Sequence, residues 1–395
     1  MDKGNTPINI YLDLSKAFDT IDHDILIDKL NYYGFDDLSI QLMKSYLSNR
    51  KQYVEFENAV SNTLPLTTGV PQGSILGPLL FIIYMNDFNL SSEVFDFIMY
   101  ADDSTLYAPL KISHGCDITL HSNMINNELE KVVLWLKTNK LSLNIDKTKY
   151  MIFHQPQKRI TLPAISIYDN NIQSVENFNL LGIVLDKHLK WKSHINMISI
   201  KISQYIGLLN KLKFLLPMSI RTKIFYSLIQ SHLTYGILLW GHSSDKLLLL
   251  QKRAIRILTN SQYICHTEPL FKRLKILRLN DLFKLAQLKF LHKHVNRKLP
   301  DFFSSMSFTH QPQHNYPTRQ IRVHVYEIVR HEFAKKSIRH YLPKLLSLLP
   351  NSIKGKFNSH SLKGFSNYVK ANILSDYSNL CFIENCYICA IMSGN

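Results

Sequence analysis

The chain opens on an alternation: Ile8, Ile10 and Leu12 interleave with Asn9, Tyr11 and Asp13, which predicts a strand whose polar face ends in Asp13. Leu14 to Asp19 then lead to Asp22, an N-cap candidate for a helix whose face is Ile25, Leu26, Leu30 and Tyr33 and which Gly34 closes. A second helix is expected over residues 38–47, capped by Asp36-Asp37 and carrying a Leu38, Leu42, Tyr46 stripe. Residues 52–56 alternate as a strand, and the polar stretch 61–66 returns toward Thr67 and Thr68 as its hairpin partner.

Two apolar runs, Phe97 to Tyr100 and Ser104 to Tyr107, meet at Asp102-Asp103, so this stretch is expected to be a hairpin with a polar tip. Ile125, Leu129, Val132, Val133 and Leu136 mark an amphipathic helix. Strand pieces are expected at 141–144 and 150–153, and a further hairpin at 178–185. From Trp191 onward the period becomes helical: one long helix through Ile195, Ile198, Ile202, Tyr205, Leu208, Leu209 and Leu212, another over 220–239, and a basic amphipathic one over 247–258. Beyond Thr259 the chain reads as helical, with breaks near Pro300, Pro312 and Pro317.

Between the first hairpin and the second, residues 69–78 hold three glycines and two prolines and run into Leu79-Leu80-Phe81-Ile82-Ile83-Tyr84-Met85. Pro78 suits the first turn of a buried helix. A glycine-bearing loop entering a helix lets a substrate approach the backbone and offers free amides to an anion.

Composition refines this picture. A 395-residue chain that is 46% hydrophobic and 11% aromatic has material for two or three folded domains. No run approaches the ~18 apolar residues of a membrane span, and the first residues lack a signal peptide, so an intracellular protein with no membrane partner is expected. Cys116, Cys265, Cys381, Cys386 and Cys389 are odd in number and unevenly spaced, against a disulfide framework. The net charge of +16 is divided by sign: residues 1–140 hold 10 Lys and Arg against 18 Asp and Glu, and residues 141–395 hold 36 against 12. An acidic part with clustered carboxylates beside a basic part suits a metal-using enzyme that acts on a polyanion. A basic surface for solubility or for acidic membranes is the other reading of the charge.

Adjacent carboxylates repel unless a cation sits between them. Asp36-Asp37 shows that the dipeptide alone decides nothing, because it opens a helix. Asp102-Asp103 lies between strands, and Asp13 ends another. If those strands are neighbours, three oxygen donors meet, the ligand type that Mg²⁺ takes together with substrate phosphates.

These residues resemble a known family. Tyr11-Leu12-Asp13-Leu14-Ser15-Lys16-Ala17-Phe18-Asp19, Gly69-Val70-Pro71-Gln72-Gly73-Ser74 with Pro78-Leu79-Leu80-Phe81, and Tyr100-Ala101-Asp102-Asp103 are similar, in order and spacing, to reverse transcriptase motifs A, B and C. Lys147-Thr148-Lys149 and Leu180-Leu181-Gly182-Ile183 resemble motifs D and E. The likeness is to non-LTR retrotransposons of the jockey type and covers residues 8 to about 240, with a weaker trace at Pro317-Thr318-Arg319.

The resemblance implies an α+β fold: a polymerase palm, an antiparallel sheet with helices, with partial fingers over residues 1–186, a helical thumb-like region over 187–262 and a basic helical C-terminal region over 263–395. It implies RNA-directed DNA polymerase activity with two Mg²⁺ ions, for which Mn²⁺ could substitute. Asp13, Asp102 and Asp103 would be the catalytic metal ligands, with the Leu14 carbonyl as a further one. Phe18 would face the sugar of the incoming nucleotide, where a ring crowds a ribose 2′-hydroxyl; core packing is its other reading. Gln72 and Gly73 would line the nucleotide and template pocket, and Lys147 or Lys149 would lie near the pyrophosphate. Lys252, Arg253 and Arg256 would contact nucleic acid, or be a solvated face. The partners implied are an RNA template, a DNA primer or nicked target DNA, and dNTPs.

Only twelve residues precede Asp13, so an N-terminally truncated copy without the upstream fingers or an endonuclease domain is expected, and with it a rival function: a non-catalytic nucleic-acid-binding remnant. An RNA-dependent RNA polymerase fits Phe18 and the Tyr-Ala-Asp-Asp string less well. Cys381, Cys386 and Cys389 resemble part of a zinc knuckle with no fourth ligand after Cys389, which argues against zinc.

Overall fold

The computed structural model describes residues 5–110, 118–158, 164–168, 170–243, 245–303 and 335–377. Cys116, Cys381, Cys386, Cys389 and the stretch 317–319 lie outside them. The chain divides into two compact units, Lys3–Phe178 and Asn179–Asn395.

The first unit is built on a five-stranded sheet. The opening alternation becomes strand β1 (Thr6–Leu12). Two helices follow. In α1 (His23–Tyr32) the Asp22 carboxylate accepts the Ile25 amide at 3.1 Å, and Gly34 continues past the helix end at φ +84°. In α2 (Asp37–Leu47) Asp36 accepts the Ser39 amide at 2.8 Å. The expected Leu38, Leu42, Tyr46 stripe is not the buried face of α2: Leu38 and Leu42 are 77% and 63% exposed, while Ile40 and Leu47 are buried and Met43 and Tyr46 pack beside them. Both stripes have helical spacing, so periodicity could not choose between them.

A narrow ribbon comes next, made of β2 (Lys51–Gln52), β3 (Glu55–Phe56), β4 (Ala59–Val60) and β5 (Leu64–Pro65). The expected continuous strand over 52–56 is thus two short pieces, β2 paired with β5 and β3 with β4. Between them the Ser61 hydroxyl takes the Val54 amide at 2.8 Å and interrupts the ladder. Helix α3 (Leu76–Tyr84) carries Pro78 in its first turn, and the Ser74 hydroxyl accepts the Gly77 amide at 2.9 Å.

Strands β6 (Asp96–Tyr100) and β7 (Asp103–Leu110) form the hairpin, and the 21-residue α4 (Ile118–Thr138) buries Ile125, Leu129, Val132, Val133 and Leu136 as its spacing predicts. β8 (Lys149–Ile152), the small pair β9 (Ser166–Ile167) and β10 (Asn170–Asn171), and β11 (Gln173–Ser174) complete the unit. The sheet order β11-β8-β1-β7-β6 puts the first strand at its centre. Ile8 and Ile10 point into the core with Leu106 and Ala108, against Leu26, Leu30, Phe81 and Ile125, all buried. On the opposite face Tyr11, Thr105 and Met151 are also buried, and Phe178 stacks on Tyr11 at 3.7 Å.

The expected hairpin of β12 (Asn177–Leu180) and β13 (Ile183–Asp186) leads from the first unit into the second, and its turn residues Leu181 and Gly182 have φ +48° and +80°. The Asp186 carboxylate gathers the amides of His188, Lys190 and Trp191 and leads into α5 (Lys192–Leu212), which buries Ile195, Ile198, Ile202, Ile206 and Leu209. The single helix expected over 220–239 is broken. It comprises α6 (Met218–Ile224), a π-helical stretch over Phe225–Gln230, α7 (Ser231–Thr234) and α8 (Ile237–Trp240). Tyr235 turns extended at ψ 120° and Gly236 takes φ +62°, a break that the apolar period running through both sides conceals.

Helix α9 (Asp245–Leu258) packs along α5, and α10 (Glu268–Leu274) and α11 (Leu279–Val295) follow. A smaller core of Leu288, Leu291, Leu342, Phe357, Phe365 and Val369 joins α11 to α12 (Ile338–Leu348), α13 (Asn351–Lys354), α14 (Lys356–Ser359) and α15 (Leu362–Ser375). The end of α15 is fastened where the Tyr377 hydroxyl donates to Asp281 at 2.6 Å and accepts the Arg278 amide at 2.9 Å. Among the described residues no helix is long and apolar enough to cross a membrane.

Candidate active site

The site is assembled by register. β1 and β7 pair antiparallel as far as Leu12 opposite Ser104, so Asp13 and Asp103 each lie one residue beyond the last pair at the same end of the sheet. Continued alternation places both on the side of Tyr11 and Thr105, with Asp13 half-buried and Asp103 exposed at that end of the strands. In β6 and β7, Tyr100 faces Asp103, so the two turn residues are Ala101 and Asp102. The expected tip, Asp102-Asp103, is therefore corrected by one residue: Asp102 is the second turn residue and Asp103 the first of β7. Ala101 adopts φ +52°, a left-handed conformation that costs an alanine roughly 1 kcal/mol and is usually left to glycine.

The carboxylates feel one another. Burial, then the charge of Asp102 and then that of Asp13, push the Asp103 carboxyl above the usual range. Among the described residues no three His, Cys, Asp or Glu side chains converge closely enough to hold a metal by themselves. Mg²⁺ characteristically draws much of its shell from water and substrate oxygens rather than from a protein cage. Hard oxygen donors in mutual electrostatic reach fit that ion, and no soft ligand lies among them.

The chain beyond β1 is held by the segment before β8. The Asn144 amide donates to the Asp13 carbonyl at 2.7 Å and the Ser15 amide to the Ser142 carbonyl at 2.8 Å, on either side of a bridge between Leu14 and Leu143. Those two bonds use the groups flanking Leu14, so the bridge leaves the Leu14 carbonyl unspent. The fully buried Thr148 accepts the Asp13 amide at 3.4 Å. This path carries Lys147 to the site, with its Nζ 3.8 Å from Asp13 Oδ2. Both partners are well exposed, so the pair is worth well under 1 kcal/mol and is readily exchanged for another anion. Lys149 is placed elsewhere, donating to the Asp146 carbonyl at 2.6 Å and to Gln173 at 2.8 Å.

Phe18 stacks on Phe81 of α3 at 4.5 Å and is half-buried, so part of the ring packs and part stays open. The glycine loop is laid along the chain that follows Phe18. The Val70 amide donates to the Phe18 carbonyl at 2.9 Å and the Gly69 amide to the Ile21 carbonyl at 2.8 Å. His23 Nε2 and Arg50 Nη1 meet the Gly69 carbonyl at 2.8 and 3.3 Å. Gln72 and Gly73 are exposed, and Gln72 Nε2 donates to Asp19 Oδ1 at 2.7 Å. Asp19, His23 and Thr148 were missed by the sequence reading. Asp19 sits in the matched string, but nothing in its spacing says which loop it touches.

In the second unit, Arg253 is exposed and Lys252 half-buried on α9, while Arg256 is committed to structure: its Nε donates to the Cys265 carbonyl at 2.8 Å. The buried face of α9 is Leu247, Gln251, Ala254, Ile255 and Leu258.

Residues 2–185 match the family described as "Reverse transcriptase (RNA-dependent DNA polymerase)". This part of the chain is a reverse transcriptase domain. The chain is 24% identical over 311 residues to the RNA-directed DNA polymerase from mobile element jockey of Drosophila melanogaster, covering 74% of this chain and 33% of that one. It is 25% identical to a probable RNA-directed DNA polymerase from transposon X-element of the same fly, covering 73% of this chain and 32% of the relative. The corresponding protein of transposon BS is 27% identical, with 68% and 30% covered. These relatives are polymerases of mobile elements, and the chain spans about a third of their length. A telomerase from Candida albicans bound to a telomeric RNA fragment matches 64% of this chain and 46% of that chain at a TM-score of 0.30 and 14% identity, too distant to carry an argument.

Proposed function

We propose that this reverse transcriptase domain extends a primer 3′-hydroxyl with deoxynucleotides on an RNA template, and that Asp13, Asp102 and Asp103 are the carboxylates that make it possible. The observation that supports the reading is the register of β1, β7 and β6, which ends with Leu12 opposite Ser104 and Tyr100 opposite Asp103 and so leaves Asp13, Asp102 and Asp103 at one end of the sheet. With the Leu14 carbonyl they would hold Mg²⁺, or Mn²⁺ in its place, which when bound neutralises the phosphates and activates the attacking hydroxyl. Phe18 would stand beside the nucleotide sugar with its ring braced on Phe81. Gln72 and Gly73 would line the same pocket. Lys147, loosely paired with Asp13, could move to the departing pyrophosphate, a role that suits it better than Lys149 because Lys149 is engaged with Gln173.

In this reading residues 1–186 act as palm with partial fingers, 187–262 as thumb and 263–395 as a basic helical region. Lys252 and Arg253 contribute phosphate contacts that carry no sequence information. The template RNA, the primer or nicked target DNA and the dNTPs are the partners.

Primer extension on poly(rA)/oligo(dT) by the purified chain tests this. Incorporation dependent on Mg²⁺ and abolished by Asp102→Asn, with nucleic-acid affinity retained, is the expected result. Extension that survives Asp102→Asn would remove the hairpin from the mechanism, and binding without extension in the wild type would favour the non-catalytic remnant.

A further inference from the structure

We propose that Asp19 is a positioning residue for the nucleotide pocket: its carboxylate fixes the Gln72 side chain so that the amide oxygen is presented to the incoming deoxynucleoside triphosphate. The inference rests on the reverse-transcription reading for what the pocket receives, but the tether itself is a property of the fold.

The loop 68–72 has no regular structure of its own and takes its shape from residues 18–23. Besides the backbone bonds to Phe18 and Ile21, the Thr68 hydroxyl donates to the Asp19 carbonyl at 3.1 Å, and Thr68 bridges to Asp22. Gly69 lies flat on Asp19, where a Cβ would come within 2.7 Å of the Asp19 carbonyl oxygen. After these contacts the loop rises to Gln72, and there the Asp19 side chain meets it at 2.7 Å.

The chemistry of this last bond is directional. An ionised carboxylate only accepts, so the amide must turn its nitrogen to Asp19 and its oxygen away. Without that partner the two ends of an exposed glutamine amide are nearly equivalent by shape, and the side chain samples several rotamers. A preset orientation offers a hydrogen-bond acceptor beside Gly73, whose missing side chain leaves the space around it open. Asp19 thereby works through Gln72 and touches no substrate.

The test has two arms. In the first, the chain is labelled with [¹⁵N]glutamine and the Gln72 side-chain NH₂ pair is assigned by its loss in Gln72→Ala. Asp19→Ala is expected to move that pair toward its free position and speed its exchange, whereas Asp19→Asn, which still offers an acceptor oxygen, leaves it near the wild-type position. An unmoved pair in Asp19→Ala overturns the proposal whatever the activity. In the second arm, Asp19→Ala is expected to raise KM for dNTP by roughly tenfold, the worth of one charge-assisted hydrogen bond, with kcat within about twofold of wild type. Asp19→Asn should restore most of the loss, and in the Gln72→Ala background Asp19→Ala should add nothing further. An equal loss in kcat with unchanged KM, or full additivity with Gln72→Ala, would also overturn it. A tether present in the first arm of a chain that extends no primer would leave Asp19 as the holder of Gln72 and count against the reverse-transcription reading instead.

Discussion

Gly69 and Gly73 stand four residues apart in the same loop with nearly identical backbone angles, φ +81° and +80°, and differ only in what surrounds them. Replacing either with alanine forces a side chain into the left-handed region, at roughly 1–2 kcal/mol. At Gly73 that is the whole cost, because a Cβ there meets nothing within 4 Å. At Gly69 the Cβ would lie 2.7, 2.8 and 2.9 Å from the Asp19 carbonyl oxygen, Cα and carbonyl carbon. Ordinary contact begins near 3.4 Å, so the two backbone segments must part by more than half an ångström. Overpacking of that kind adds about 1–3 kcal/mol. Gly69→Ala is therefore expected to cost about 2–5 kcal/mol against 1–2 for Gly73→Ala. Hydrogen exchange read by mass spectrometry across a urea series, on peptides from β1 and β7, measures this for the first unit without requiring the whole chain to unfold in one step. Equal losses in the two variants would refute the packing of Gly69 on Asp19.

Asp103→Asn should stabilise the metal-free protein. The raised Asp103 carboxyl means that its ionisation opposes folding: the penalty is absent below the ordinary carboxyl range, grows as pH rises toward the raised value and is full above it. The group is largely exposed, so the gain near neutral pH is only about 0.5 kcal/mol after solvent screening. Melting curves in EDTA should show it, Mg²⁺ should raise the melting point of the wild type more than that of the variant, and a variant that melts lower at every pH would contradict it. Lys29→Met should be costly, because Lys29 Nζ donates to Asp87 at 2.6 Å and to the Tyr84 carbonyl at 2.7 Å and lies 4.7 Å from the Trp135 ring. Losing these from a largely enclosed lysine is worth about 2–3 kcal/mol, and adding Asp87→Leu should recover part of it; an additive double variant would dismiss the coupling. Removing both Lys252 and Arg253 should lower the slope of log affinity against log salt for a primer-template by up to about 1.8. Arg256→Ala should instead lower stability, through the Cys265 carbonyl, with little change in that slope.

How much of this was legible depended on whether a signal was local. The first strand, which ends at Leu12 one residue before the expected Asp13, the Asp22 and Asp36 caps and the buried stripe of α4 each rest on a few neighbouring residues with one physical outcome. The face of α2 and the break at Tyr235 and Gly236 were illegible because the apolar residues fit two stripes in one case and run through the break in the other. The hairpin shows the boundary most sharply. Its strands could be read from Phe97 and Tyr107, yet the turn lies one residue earlier than the acidic pair suggested. A turn on Asp102 and Asp103 would have put both carboxylates beyond the ladder. The turn on Ala101 and Asp102 instead strains an alanine, brings Asp103 into β7 opposite Tyr100, and sets it one step from Ser104, whose partner Leu12 immediately precedes Asp13. That displacement costs local backbone energy and adds carboxylate repulsion, which the exposed Lys147 beside Asp13 offsets only weakly. A sequence selected for stability alone would have placed glycine at the turn and a neutral residue at position 103. Both departures fall on the same three residues, which is where strain is expected to gather when a site is arranged for a cation and its substrate.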